Sequence, residues 1–141
     1  MEKNLIISVI TASILLILTA CGGSDNELVL PLPEDIEEIE ITNIQTDETA
    51  VLKSKEEISA LINTLADNSK NTGKESVNDE PTNVEGYFWI AFLNKEGEPD
   101  PNVVFVYIKD DAYYLEQPYI GIWETDIETY DKIKGRFTKE E

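Results

Sequence analysis

The sequence predicts an α+β domain: a mostly antiparallel sheet carrying two amphipathic helices, in the order β-β-α-β-β-β-β-α. Three observations lead there. Short runs alternate apolar and polar residues at period two between clusters of turn-forming residues. Two other runs carry apolar residues at helical spacing behind capping-box starts. Turns join most of the strand segments, as between antiparallel neighbours.

The elements follow in order. "IEEIEITNIQ" from Ile36 places Ile39 and Ile41 on one face and Glu38, Glu40 and Thr42 on the other, the pattern of a half-exposed strand. "ETAVLKS" from Glu48 returns as its hairpin partner through Thr46 and Asp47. Ser54 with Glu57 three residues later has capping-box spacing, ahead of Ile58, Leu61, Ile62 and Leu65, so a helix from Lys55 to Asp67 follows. The polar run "NSKNTGKESVNDEPTN", residues 68–83, reads as a connection, and a long one. "YFWIAFL" from Tyr87 and "VVFVYI" from Val103 are apolar on both faces, as in central strands covered on both sides or in strands whose outer aromatics are left partly exposed; Trp89 and Phe92 are placed in the core on the first reading. "NKEGEPDP" between them is a turn. "AYYLEQ" from Ala112 and "YIGIW" from Tyr119 form a further pair, broken by Pro118. Thr125 and Glu128 repeat the capping-box spacing, with Ile127, Tyr130 and Ile133 on one face of a short final helix.

The chain has 141 residues, of which 29 are acidic and 11 basic, for a net charge of -18. One small domain is expected. The charge excludes phosphate-backbone recognition, which needs clustered Lys and Arg, and nucleic acid is set aside. Such acidity reads as a solvated, outward-facing surface. A hydrophobic content of 41% with six Tyr and two Trp is too rich for a disordered chain.

Residues 5–18 run without a charge and end in Leu18-Thr19-Ala20-Cys21-Gly22. A membrane span needs about 20 apolar residues, so the run has the length of a signal-peptide core instead. Leu three before the only Cys, a small residue just before it and Gly after it form a lipobox. The expectation is a signal peptide over residues 1–20, cleavage between Ala20 and Cys21, and a diacylglyceryl group on the Cys21 thiol. Two chains hold a protein stably where one gives only reversible binding. Residues 21–33, with Gly, Ser and two prolines, read as a flexible tether and residues 34–141 as the domain. The expected location is the extracytoplasmic face of the cell membrane.

The run from Ile36 to Lys134, above all "KEEISALINTLADNSKNTGKESVNDEP" and "YYLEQPYIGIWETDIETYDKI", resembles an uncharacterised domain of small lipoproteins in Gram-positive bacteria. The resemblance implies location and fold; it carries over no activity and no site.

The chain contains no His, and Cys21 is taken by the lipobox, so Ser-His-Asp and Cys-His machinery and the usual zinc sites are excluded. No cofactor is implied. Glu116, Glu124 and Asp126 are the candidates for a carboxylate pair acting on a glycosidic bond. "VNDEP" and "GEPDP" offer hard oxygen ligands without the spacing of a calcium loop, and no metal site is assigned. Of the aromatics Tyr87, Trp89, Tyr113, Tyr114, Tyr119 and Trp123, most are expected in the core. Tyr119 and Trp123, with Tyr114, are expected to border a recognition surface, because Pro118 interrupts strand pairing and Gly121 leaves backbone uncovered. The leading expectation is a binding or interaction module with an envelope protein or glycan as partner. The alternative is a His-free carboxylate hydrolase of cell-envelope glycans.

Overall fold

The computed structural model describes residues 26–138; the expected signal peptide, Cys21 and the first part of the expected tether lie outside them. A 3-10 turn at Pro33–Asp35 opens into β1 (Ile36–Asn43), which turns back as β2 (Glu48–Leu52). Helix α1 (Lys55–Asp67) follows, then β3 (Lys70–Lys74), β4 (Phe88–Asn94), β5 (Val104–Lys109), β6 (Ala112–Gln117), β7 (Gly121–Thr125) and α2 (Ile127–Lys134). The strands form one sheet in the order β2-β1-β4-β5-β6-β7-β3, with antiparallel neighbours throughout.

The α+β class, the two helices and the order of the predicted elements are those found. One short strand, β3, is added inside the run read as a connection. Its residues carry no apolar side chain to produce a periodic signal; pairing with β7 and the Thr72 hydroxyl, which donates to the Ile122 carbonyl at 2.6 Å, hold it in place.

Helix α1 starts as its sequence implies. The Ser54 hydroxyl accepts the Glu57 N–H at 3.4 Å, and Glu56 and Glu57 lie in the first turn, where the positive end of the helix dipole favours them. Helix α2 starts one residue later than its capping-box spacing implies. Asp126, not Thr125, accepts the Thr129 N–H, at 2.7 Å; Thr125 ends β7 with its hydroxyl buried and unpartnered. Ile127 is therefore the first helical residue, leans back toward the helix start and is 53% exposed, while Thr129 and Ile133 form the buried face.

Strand parity sorts the side chains. Leu52, Ile39 and Phe92 align across β2, β1 and β4, and Val106, Leu115 and Trp123 across β5, β6 and β7, all on the face that packs against the buried residues of α1 and α2. Phe92 is fully buried. Trp89, one residue out of step with Phe88, Ile90 and Phe92, points to the opposite face and is 42% exposed, so it is not core.

The opposite face is covered over only half its width. β3 lies at one edge and β4 four places away, running parallel to it, so the chain must cross the sheet between them. Residues 75–87 make that crossing over β7, β6 and β5, which explains why Phe105 and Tyr107 are buried although they face away from the helices. Among the described residues no segment crosses the other half, on β2, β1 and β4, where Val51 and Trp89 are exposed.

The packed body begins earlier than the predicted boundary. Residues 26–33, read as tether, lie against the domain: Val29 exchanges two hydrogen bonds with the buried Gln117 side chain, at 2.7 and 2.8 Å, and Leu28 and Leu30 pack on the core.

Candidate functional site

The three residues expected to form one recognition surface are separated by the fold. Trp123 pairs with Leu115 on the helix-covered face, is 2% exposed, and donates its indole N–H to the Asn26 carbonyl at 3.2 Å. Gly121 is buried beneath that ring: a Cβ there would stand 3.2 Å from it, so the glycine makes room for the indole instead of baring the backbone. Tyr114 is half-buried on the other face, its ring 5.7 Å from that of Tyr107. Tyr119 sits in the β6–β7 turn with a positive φ of 61° and 66% of its surface exposed. Its hydroxyl donates to Asp79 of the crossing segment at 2.8 Å, and that bond, the Asp79 charge and slight burial raise its pKa above the ordinary tyrosine value.

The three candidate carboxyls also have separate tasks. Glu116 is buried and accepts hydrogen bonds from the Ser76 and Tyr107 hydroxyls, at 2.7 and 2.9 Å. Burial, followed by the bond to Glu116 and its charge, pushes the Tyr107 hydroxyl well above the usual tyrosine range. Glu124 is exposed on β7, paired with Tyr114 and Lys70 on the neighbouring strands. Asp126 caps α2, and hydrogen bonds from Thr129 hold its carboxyl below the usual range.

The acidic loop "VNDEP" supplies clasps to the crossing segment. Besides the Asp79–Tyr119 bond, Glu80 accepts the Tyr87 hydroxyl at 2.7 Å, and burial together with Glu80 raises that hydroxyl to about 12. Pro81 is buried between them in sequence. Among the described residues no group of three His, Cys, Asp or Glu side chains is placed to hold a metal ion.

What sequence reasoning passed over is the open half of the sheet. On it, two rows run across β2, β1 and β4, and a third across β1 and β4. Thr49, Thr42 and Trp89 form one, and the two Thr hydroxyls are 2.9 Å apart. Val51, Glu40 and Ala91 form the next. Beyond them Glu38 pairs with Leu93 and with the Lys53 ammonium at 3.2 Å. Val51 and Trp89 are both exposed. Parity sets Trp89 in phase with Tyr87 and Ala91, not with the core residues between them, but both phases are apolar and the run does not say which one meets solvent.

A family model, DUF5301, described as "Domain of unknown function (DUF5300)", matches residues 24–124. This chain belongs to the DUF5301 family. The match begins just before the docked N-terminal segment and ends within β7, so it takes in all but the last residue of the sheet and the crossing segment. An NMR structure of a protein from Ruminococcus gnavus is similar to this DUF5301 chain at 26% identity and a TM-score of 0.57, over 72% of this chain and 96% of that one. No curated protein matches the chain. The match is consistent with the uncharacterised domain that the sequence resembles.

Proposed function

We propose that this chain is a lipid-anchored binding module on the extracytoplasmic face of a Gram-positive cell membrane, engaging an envelope protein through the open half of its sheet. The lipobox at Cys21 supports the anchor. The observation that carries binding is Trp89, a large aromatic left 42% exposed in a β-sheet face whose other half the same chain covers with a dedicated crossing segment. Trp combines apolar area with a polar tip and is enriched where proteins recognise partners. The separate engagements of Glu116 and Asp126 argue for binding over hydrolysis.

The test places a photo-crosslinking residue at Val51 of the full-length chain in cells. A discrete adduct that forms from Val51, not from the exposed Asn63 on α1, and that weakens when Cys21→Ser removes the acyl anchor is the expected result. Absence of an adduct, or equal adducts from both positions, overturns the module. Incorporation of labelled fatty acid into the Cys21→Ser chain overturns the anchor.

A further inference from the structure

We infer that the open sheet face takes a basic polypeptide segment, with a Lys or Arg side chain laid over the Trp89 indole beside Glu40. The inference rests on the reading of this face as the binding surface and names the chemistry of the partner.

Glu40 stands at the centre of the face. Register places it between Val51 on β2 and Ala91 on β4, with Trp89 on the diagonal two residues further along β4. Diagonal neighbours in a sheet are within reach of long and aromatic side chains. The neighbouring Glu38 has a cation of its own in Lys53, whereas among the described residues Glu40 has no ion-pair partner. It is also half-buried among its neighbours on the sheet.

A half-buried glutamate without an ion-pair partner, beside an exposed indole and the apolar Val51 and Ala91, matches one kind of group. The alkyl stem of Lys or Arg covers Val51 and Ala91, and its charged head meets both the face of Trp89 and the Glu40 oxygens. Thr42 and Thr49 occupy each other's hydroxyls and leave the indole as the polarisable element of its row. The surroundings add steering. Asp47 stands exposed at one end of the sheet, Glu96 and Glu98 at the other, and the whole chain carries -18. Such a field attracts a cationic segment and repels phosphate-bearing polymers and anionic lipid headgroups.

The experiment titrates the full chain in neutral detergent micelles, at about 0.15 M ionic strength, with a short lysine–serine peptide, its fully Nε-acetylated form and the matching glutamate–serine peptide. Anisotropy of a fluorophore on the peptide reports binding, so that Trp89 can be varied without losing the signal. Saturable binding of the lysine peptide alone is expected, weakened at least about tenfold by Glu40→Gln and by Trp89→Leu and within about twofold of the parent for Glu128→Gln on α2. Glu40→Gln keeps the size of the side chain and removes its charge, and an unchanged urea midpoint separates its loss of binding from unfolding. No saturable binding, equal binding of the acetylated peptide, or an equal loss with Glu128→Gln overturns the inference. Val51 adducts that persist while the lysine peptide fails remove the basic partner and leave the module; lysine-peptide binding without Val51 adducts supports the chemistry of the face and removes the envelope-protein reading.

Discussion

The Ser76 hydroxyl donates to the buried Glu116 carboxyl at 2.7 Å, joining a crossing segment forty residues away in sequence to the middle of the sheet. Tyr107 donates to the same carboxyl from the next strand. A buried carboxyl is costly unless its oxygens are satisfied, so the crossing segment and β6 stabilise each other: Glu116 needs the two hydroxyls, and the segment needs an anchor on the sheet. That anchor decides which half of the sheet face is covered and which half stays open around Trp89.

Ser76→Ala leaves one Glu116 oxygen without its protein partner. The cost is about 1–3 kcal/mol, read as a lower urea midpoint. Amide exchange over residues 75–87 should quicken more than exchange in β1, because the bond lost belongs to the segment. Uniform quickening, or an unchanged midpoint, would show that the segment is held without Ser76.

Phe92→Ala and Trp89→Ala should separate sharply, though three residues apart on one strand. Phe92 is fully buried among Ile39, Leu52 and their neighbours, and its truncation costs about 3–5 kcal/mol. Trp89 stands on the open face, and its truncation costs about 1–2 kcal/mol. Equal urea midpoints for the two variants would contradict the parity of β4.

This pair also shows how far the sequence could be read. Helix α1 was legible to the residue because Ser54 and four apolar positions at helical spacing point the same way. β1 was legible because one face is buried and the other wet. β4 and β5 were not legible by face: both faces of "YFWIAFL" are apolar, so nothing local says that Phe92 meets the helices and Trp89 meets solvent. The same gap hid Trp123, whose burial depends on Asn26 and Leu28 returning over β7 from far upstream. β3 was invisible for the opposite reason, having no apolar side chain at all. Long-range pairing made these assignments, and a single sequence carries no local trace of it.

Alkali should weaken the fold from about pH 10, where tyrosine in the unfolded chain ionises and in the folded chain does not. Tyr87, Tyr107, Tyr119 and Tyr130 all have raised pKa values, through burial at Tyr87, Tyr107 and Tyr130 and chiefly through the bond to Asp79 at Tyr119. A hydroxyl held protonated more firmly in the folded chain contributes stability fully present below its unfolded pKa of 10.0, lost as pH rises through the folded value, about 12 for Tyr87. Urea midpoints should therefore hold up to about pH 9 and fall by about pH 11. Tyr87→Phe should flatten that fall and remove a component titrating near 12 from the phenolate absorbance. A pH-independent midpoint over this range would exclude the tyrosine clasps as contributors.

At the acid end the relevant group is Asp126. Its lowered pKa means that its contribution is present above the unfolded value of 3.8 and is lost as pH falls through the folded one. Asp126→Ala removes the cap of α2 and costs about 1 kcal/mol near neutrality. The gap between variant and parent should narrow below about pH 4, as the parent's carboxyl protonates. A gap that stays constant down to acid pH would mean that the cap works without its charge, and no gap at any pH that α2 is held by packing alone.

Gln117 links the domain to the chain that leads back toward Cys21. Its side-chain amide is fully buried and bonds the Val29 backbone in both directions, accepting the N–H at 2.7 Å and donating to the carbonyl at 2.8 Å. Gln117→Glu keeps the shape and the acceptor but loses the donor and sets a carboxyl where an amide was enclosed, at a cost of about 1–3 kcal/mol or more. The weaker side of the contact is the docked segment, which Leu28, Leu30 and the Asn26 carbonyl hold only from the surface inward. Release should therefore precede global unfolding. Two readings test this: faster proteolytic cleavage within residues 26–33, and a red shift of Trp123 emission as the indole N–H loses Asn26. If release occurs, the distance between Cys21 and the sheet grows by as much as about 3.3 Å for each residue set free, so under the proposed anchoring the reach of Trp89 from the membrane grows with it. Cleavage at the parent rate, with unchanged emission, would show that the segment stays docked without Gln117 and that the reach is fixed elsewhere.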